Sequence, residues 1–379
     1  MCNLSSAITT RNLSTLVISI ALIGGSVTGC DKAKDTQTLI LEASQYQQRG
    51  DDKAAIIQLK NAVQKNPEDP EARYLLGRIY NKTGDLQSAE KELRKAMSLG
   101  MSSARVLPDL GQTLLQLGQF QRVLDETKQL SADKNSAEIS TLRGSAFLAL
   151  GKAKEAKDLF EQALKEKPDF PDALIGLAKY SLYERDLEAA MRFAEQAVAR
   201  NPDHADVWLF KGDLLRAQGK TDLALAAYDQ VVKLKPNSSS AYINKASIEI
   251  ITGKFEAAQA DIEAARKVAP GNLLVFYTQA LLDFTQGKHA AALESLQKIL
   301  SKAPDHMPSV LLAGAVQFAL GSLPQAEQHL KLFIDKDPGN LYARKLFASI
   351  LLKNREPQRA IAVLNPALKE VRQDPQLFA

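Results

Sequence analysis

The sequence predicts an all-α protein, a superhelical solenoid of about ten stacked antiparallel helix pairs forming one elongated domain. Three observations predict it. A set of landmark residues recurs with a period of about 34 from residue 36 to residue 374, almost without interruption. Glycine returns at one offset in that period and proline at another, and both are residues that end helices. Small residues return at a third offset, where two helices can cross at close range. A unit of that length has too little core to stand alone, so successive units must stack and bury a continuous one.

Residues 1–29 read as an address rather than as solenoid. Arg11 gives a positive start, residues 16–23 (L-V-I-S-I-A-L-I) give a short apolar core, and small residues lead to Val27, Thr28, Gly29 and Cys30. The apolar stretch falls short of the ~20 residues a bilayer span needs, so a signal peptide fits it better. V-T-G-C resembles the bacterial lipobox, in which cleavage precedes the cysteine and a diacylglycerol is attached to its sulfur. That resemblance implies lipidation at Cys30; the alternative is an ordinary cleaved signal with an incidental cysteine. The other cysteine, Cys2, would leave with the signal, so the mature chain would carry no disulfide in an oxidising compartment. Acylation can hold such a chain at a membrane, each buried methylene contributing about 0.8 kcal/mol. Asp31 resembles the inner-membrane retention signal of enterobacterial lipoproteins, which favours the inner membrane over the outer. Residues 30–35 then form a lipidated N-terminus and tether. At roughly 3.3–3.6 Å per residue it reaches less than about 20 Å, which sets the first helix pairs close to the lipid.

The repeats run 36–69, 70–103, 104–136, 137–170, 171–204, 205–238, 239–272, 273–306, 307–340 and 341–374. The sixth is the clearest, with Trp208 fourth, Gly212 eighth, Gly219 fifteenth, Ala224 twentieth, Tyr228 twenty-fourth and Pro236 thirty-second. In this order and at this period the landmarks resemble the tetratricopeptide repeat, which implies helix-pair solenoids that bind other molecules rather than transform them. Gly50, Gly84, Gly118, Gly151, Gly219, Gly253, Gly287 and Gly321 share the fifteenth position between the two helices. Arg185 and Arg355 stand there instead in the fifth and tenth repeats. Prolines 67, 168, 202, 236, 270, 304 and 338 close most copies, and alanine holds the twentieth position in nine of them. The third copy is the weakest: Val123 replaces the alanine, no proline closes it, and it is one residue short, so a slight kink is expected. Residues 375–379 read as the start of a truncated further repeat, which implies either a longer solenoid or a C-terminal face docked on a partner.

Composition points away from several functions. A formal charge of +4 on 379 residues, with basic and acidic groups interspersed, does not make the concentrated basic face that nucleic acid requires. His204 and His306 fall in turns between helix pairs, while His289 and His329 lie elsewhere, and no His/Cys spacing resembles a zinc site. There is no phosphate-binding glycine loop and no G-x-S-x-G elbow. The expectation is no enzyme, no cofactor, no metal and no catalytic residue.

Binding is therefore expected on the concave surface, which the first helix of each repeat lines with its second, fifth, ninth and twelfth positions. The second repeat offers Glu71, Tyr74, Arg78 and Asn81, with Lys82 beside them, and the sixth offers Asp206, Leu209, Asp213 and Arg216. From the seventh the lining turns apolar: Ile243, Ile250, Tyr277, Leu281, Phe284, Leu311 and Phe318. Two roles fit such a strip, internal packing against the superhelix or a groove for an amphipathic or extended partner segment. On the second, Ile250→Glu with Phe284→Glu would abolish partner capture without loss of helicity. Arg78 with Lys82 is only a fragment of the dicarboxylate clamp found in chaperone-binding relatives, so a C-terminal peptide ligand is not supported.

Particular stretches carry a narrower likeness. I-Q-L-K-N-A-V-Q-K-N-P over 57–67, E-A-R-Y-L-L-G over 71–77, A-E-K-E-L-R-K-A over 89–96, K-G-D-L-L-R-A-Q-G-K over 211–220, L-L-A-G-A over 311–315 and A-R-K-L over 343–346 are among them. With the lipobox they resemble the tetratricopeptide lipoprotein of the exosortase/PEP-CTERM system, along nearly the whole chain. The resemblance implies a lipid-anchored scaffold facing the periplasm of a Gram-negative envelope. Its protein partners would then be exosortase-system or polysaccharide-export components. A structural lipoprotein of envelope assembly, serving outer-membrane protein insertion or a secretin, is the alternative.

Overall fold

A computed structural model describes residues 35–128 and 136–371. The signal segment, Cys30 and residues 375–379 lie outside the described residues. Within them the chain is helical throughout: twenty helices, α1(Thr36–Gln48) to α20(Pro357–Val371), with no strand. Each repeat contributes a first and a second helix, packed against each other and then against the first helix of the next repeat. The first helices of successive repeats also touch, as α7(Ser136–Ala149) does α9(Pro171–Tyr183) and α9 does α11(Ala205–Ala217). That contact puts the first helices on the tighter, inner side of the superhelix.

The loops explain why the helices begin and end where they do. Asp35, Asp51, Asp69, Asp85 and Asp186 each cap a helix by accepting a hydrogen bond from a backbone N–H three residues on. At the other end of the first helices the fifteenth-position glycines adopt φ between 70° and 85°. The next residue then returns its N–H to a carbonyl five back, as Asp85 does to Tyr80 at 2.9 Å. Arg185 and Arg355 take the same left-handed conformation, φ 62° and 63°, without glycine's freedom.

Packing follows the expected offsets. The alanines at the twentieth position are essentially inaccessible, and Val123 takes the place of one in the third repeat. That repeat departs from the others: its second helix, α6(Phe120–Glu126), has only seven residues, against twelve or more in every other helix. Trp208 is half-buried between two core clusters, its indole N–H donating to the Pro202 carbonyl at 2.7 Å. No described helix is long and apolar enough to cross a membrane.

Candidate functional site

The inner surface has three regions. At the N-terminal end the polar residues satisfy one another. Arg105 on α5(Ser103–Gln116) grips both carboxylate oxygens of Glu71 on α3(Pro70–Thr83), at 2.6 and 2.7 Å. Its guanidinium lies 4.5 Å from the Tyr74 ring centroid. The Tyr74 hydroxyl donates to Asp109 at 2.7 Å, and burial, reinforced by that carboxylate, pushes its pKa up. Arg78 stands 3.6 Å from the same carboxylate, and Lys82 donates to Asp52 at 2.7 Å. Tyr74 is thus no exposed contact: it is buried because Arg105 of the following repeat covers it.

At the C-terminal end the apolar strip divides. Ile243 and Ile250, expected on the open surface, are only 6% and 4% exposed and belong to the core of the seventh and eighth repeats. The reason is geometric. α13(Ser239–Ile251) is overlain by the first helix of the next repeat, α15(Leu273–Thr285), which leans across its inner face. Tyr277, Leu281, Phe284, Leu311 and Phe318 are half-buried. Tyr277 meets His306 edge-on at 5.8 Å, Phe284 lies against His289 at 5.5 Å, and the Lys353 ammonium sits 4.3 Å over the Phe318 ring. The strip is therefore a flank of the core with one face open. Arg216 is exposed at the edge of the sixth repeat, beside the buried Tyr228, whose hydroxyl donates to Asp213 at 2.7 Å.

Between these regions lies a cavity of about 690 Å³, walled by α5, α7, α9 and α11. Its α5–α7 end is mixed, with Leu115, Leu142 and Leu148 set among Gln112, Gln116, Thr141 and Ser145; its α9–α11 end is charged, with Asp172, Lys179 and Asp206. Asp172 keeps an open path to solvent, yet the walls crowd the carboxylate enough that desolvation raises its pKa, with Asp206 adding to the effect and His204 opposing it. Of these residues the sequence reading singled out only Asp206 as inward-facing and His204 as a turn residue. A signal was present: the second position of the fourth, fifth and sixth repeats reads Glu138, Asp172, Asp206. Among the described residues no group of three His, Cys, Asp or Glu is placed to hold a metal ion.

Comparison with known proteins places this architecture. Tetratricopeptide-repeat family models match residues 46–107, 147–214 and 181–242, and 245–306 and 277–341. The chain belongs to the tetratricopeptide-repeat proteins, a family of scaffolds that bind other proteins. In sequence it is similar to the type IV pilus assembly protein PilF of Pseudomonas aeruginosa, 25% identical over 169 residues, or 44% of this chain and 66% of the relative. The match thus spans just under two thirds of that protein's length. Three solved structures share the fold. PilW, a widely conserved type IV pilus biogenesis factor, matches at TM-score 0.50 and 20% identity over 57% of this chain and 99% of its own. A monomeric IFIT1 mutant with Gppp-AAAA matches at TM-score 0.57 and 16% identity, covering 79% and 78%. The Cut9-Hcn1 assembly of the APC/C matches at TM-score 0.51 and 12% identity, covering 89% and 93%.

Proposed function

We propose that this protein is a lipid-anchored scaffold of a Gram-negative envelope whose concave surface holds an extended segment of a partner protein in the periplasm. We assign it to exopolysaccharide export and exosortase-linked sorting of PEP-tailed proteins. The observation that carries the scaffold reading is the cavity of about 690 Å³ framed by first helices of consecutive repeats, the surface such solenoids offer to partners. Support for the pathway comes from V-T-G-C at 27–30 and the stretches at 57–67 and 211–220. The half-buried Tyr277, Leu281, Phe284, Leu311 and Phe318 would extend the contact along the C-terminal half.

One observation favours a second reading. The 25% identity to a type IV pilus assembly protein is what an envelope-assembly lipoprotein serving a secretin would share. Crosslinking of the tagged protein in native membranes, followed by identification of what it captures, separates the two. Exosortase, PEP-tailed cargo or polysaccharide-export proteins are expected. Enrichment of secretin or outer-membrane insertion components would replace the first pathway by the second. Mass analysis of the peptide beginning at Cys30 tests the anchor: an unmodified thiol there would remove it.

A further inference from the structure

We infer that the central cavity is a two-part docking site for an extended polypeptide. The segment sets one basic side chain, lysine or arginine, between Asp172 and Asp206, and lays an apolar side chain against Leu115 and Leu148 a few residues away. The inference rests on the scaffold reading and names the chemistry of the partner.

The argument begins with how the same position is treated elsewhere in the chain. In the second repeat the second-position acid, Glu71, is closed by Arg105, the second-position residue of the following repeat, through two hydrogen bonds of 2.6 and 2.7 Å. Three repeats further on, the corresponding neighbours are Asp172 and Asp206, so the built-in cation is replaced by a like charge. Asp172 and Asp206 line the same end of the cavity, close enough that the charge of Asp206 is felt at the Asp172 carboxyl. Glu138, the preceding acid in the series, is already bridged by Lys167. Asp172 and Asp206 form no hydrogen bond or ion pair among the described residues.

The chain's own cations do not fill the gap. Lys179 projects from α9 into the cavity wall, but its ammonium lies over the Phe210 ring at 6.0 Å and pairs with neither carboxylate. His204, at the start of α11, has a buried Nδ1 with no hydrogen-bond partner. Two acids side by side at one end of a partly desolvated cavity repel, and an incoming cation relieves that repulsion while its apolar stem packs on the walls. A cation alone would leave the other end open. There Leu115 and Leu148 are half-buried on α5 and α7, a wall that rewards an apolar side chain. A small ion would use only one of these ends; an extended chain, advancing about 3.3 Å per residue, reaches both.

The test is a display library of random twelve-residue peptides panned on the purified mature chain. Selected peptides are then measured against the wild type and the Asp172→Asn, Asp206→Asn double variant. Both aspartates are unpaired and repel each other, so the double variant is expected to melt at or above the wild-type temperature. Enriched peptides are expected to combine a lysine or arginine with an apolar residue. They should lose about tenfold or more in affinity in the double variant, along with much of their salt dependence. Leu148→Ser should weaken them without changing the salt dependence. Enrichment of peptides without a basic residue, unchanged affinity in the double variant, or no enrichment at all would each overturn the proposal. So would calcium chloride that raises the melting temperature of the wild type and competes with the peptides, because the acids would then be a metal site. Native-membrane crosslinking separates this failure from failure of the scaffold reading. A double variant that captures the wild-type partners removes the cavity and leaves the scaffold, whereas a wild type that captures nothing removes both.

Discussion

At the scale of single residues, the repeat is a rule about volume. The eighth position of the first helix faces the twenty-fourth of the second, and the two share one space. A Cβ on Gly212 would stand 2.5 Å from the Tyr228 ring, and one on Gly77 would stand 2.7 Å from Leu93. Tyr228 cannot retreat, since it is fully buried and its hydroxyl is tied to Asp213. Gly212→Ala would therefore cost about 1–3 kcal/mol in overpacking, more than the ~1 kcal/mol that alanine gains in helix propensity. Urea unfolding should show a lower midpoint for the variant, and a midpoint at or above the wild type would refute the packing account. The same bookkeeping separates two residues that the sequence could only group together. Ile250→Glu places a carboxylate in the core of the seventh repeat and should lower the melting temperature markedly, whereas Phe284→Glu, half-buried on the open flank, should leave helicity intact. Equal melting curves for the two would mean that the core boundary is misplaced.

Elements carry a different kind of information. α13 and α14(Phe255–Val268) enclose a charge cluster in which Lys245 lies 3.4 Å from Asp261, with Glu249 beside them, and reaches the exposed Asp229 of the preceding helix at 2.8 Å. Burial, and then the charge of Asp261, push Glu249 from its ordinary 4.5 up to about 7, and Asp261 is raised too, chiefly by burial. One lysine cannot compensate all three carboxylates, so the folded state retains a proton that the unfolded chain releases. A carboxyl group whose folded pKa is raised contributes stability that is complete below 4.5 and is lost as pH rises toward about 7. Denaturation midpoints measured from pH 4.5 to 8 should fall over that window. Glu249→Gln should flatten the fall and exceed the wild type at pH 8, while parallel curves would place the proton elsewhere. Such a cluster was not legible from the sequence, because it joins three helices through side chains with ordinary helical spacing. What was legible at this scale were helix ends, since Gly84 and Pro67 act through their own backbones. The inner face was only half legible: whether Ile243 or Leu281 is covered depends on how far the next first helix leans across, which no spacing encodes.

For the whole molecule, the decisive property is that there is no single core. Buried apolar side chains fall into successive clusters, each spanning one to three adjacent repeats, so stability is a sum of local terms coupled between neighbours. The overall fold was legible for that reason: a nearest-neighbour architecture repeats its instructions, and ten noisy copies average into one clear pattern. It was also why the cavity was hard to see, because it arises from departures between copies, Asp where another repeat has Arg. Local stability has a measurable consequence. Leu296 on α16(His289–Leu300) is wholly inaccessible and packs among Ala280, Ala292 and Ile299. Leu296→Ala should cost about 2–5 kcal/mol, but only where that cluster reaches. Amide hydrogen exchange should therefore quicken through α15, α16 and α17(Met307–Ala319) while α1 to α4(Leu86–Ser98) keep their wild-type protection. If exchange quickened equally from α1 to α20, the chain would unfold as one cooperative unit. The cavity's two ends, on α5–α7 and α9–α11, would then be held in register by the entire molecule rather than by the contacts between adjacent repeats.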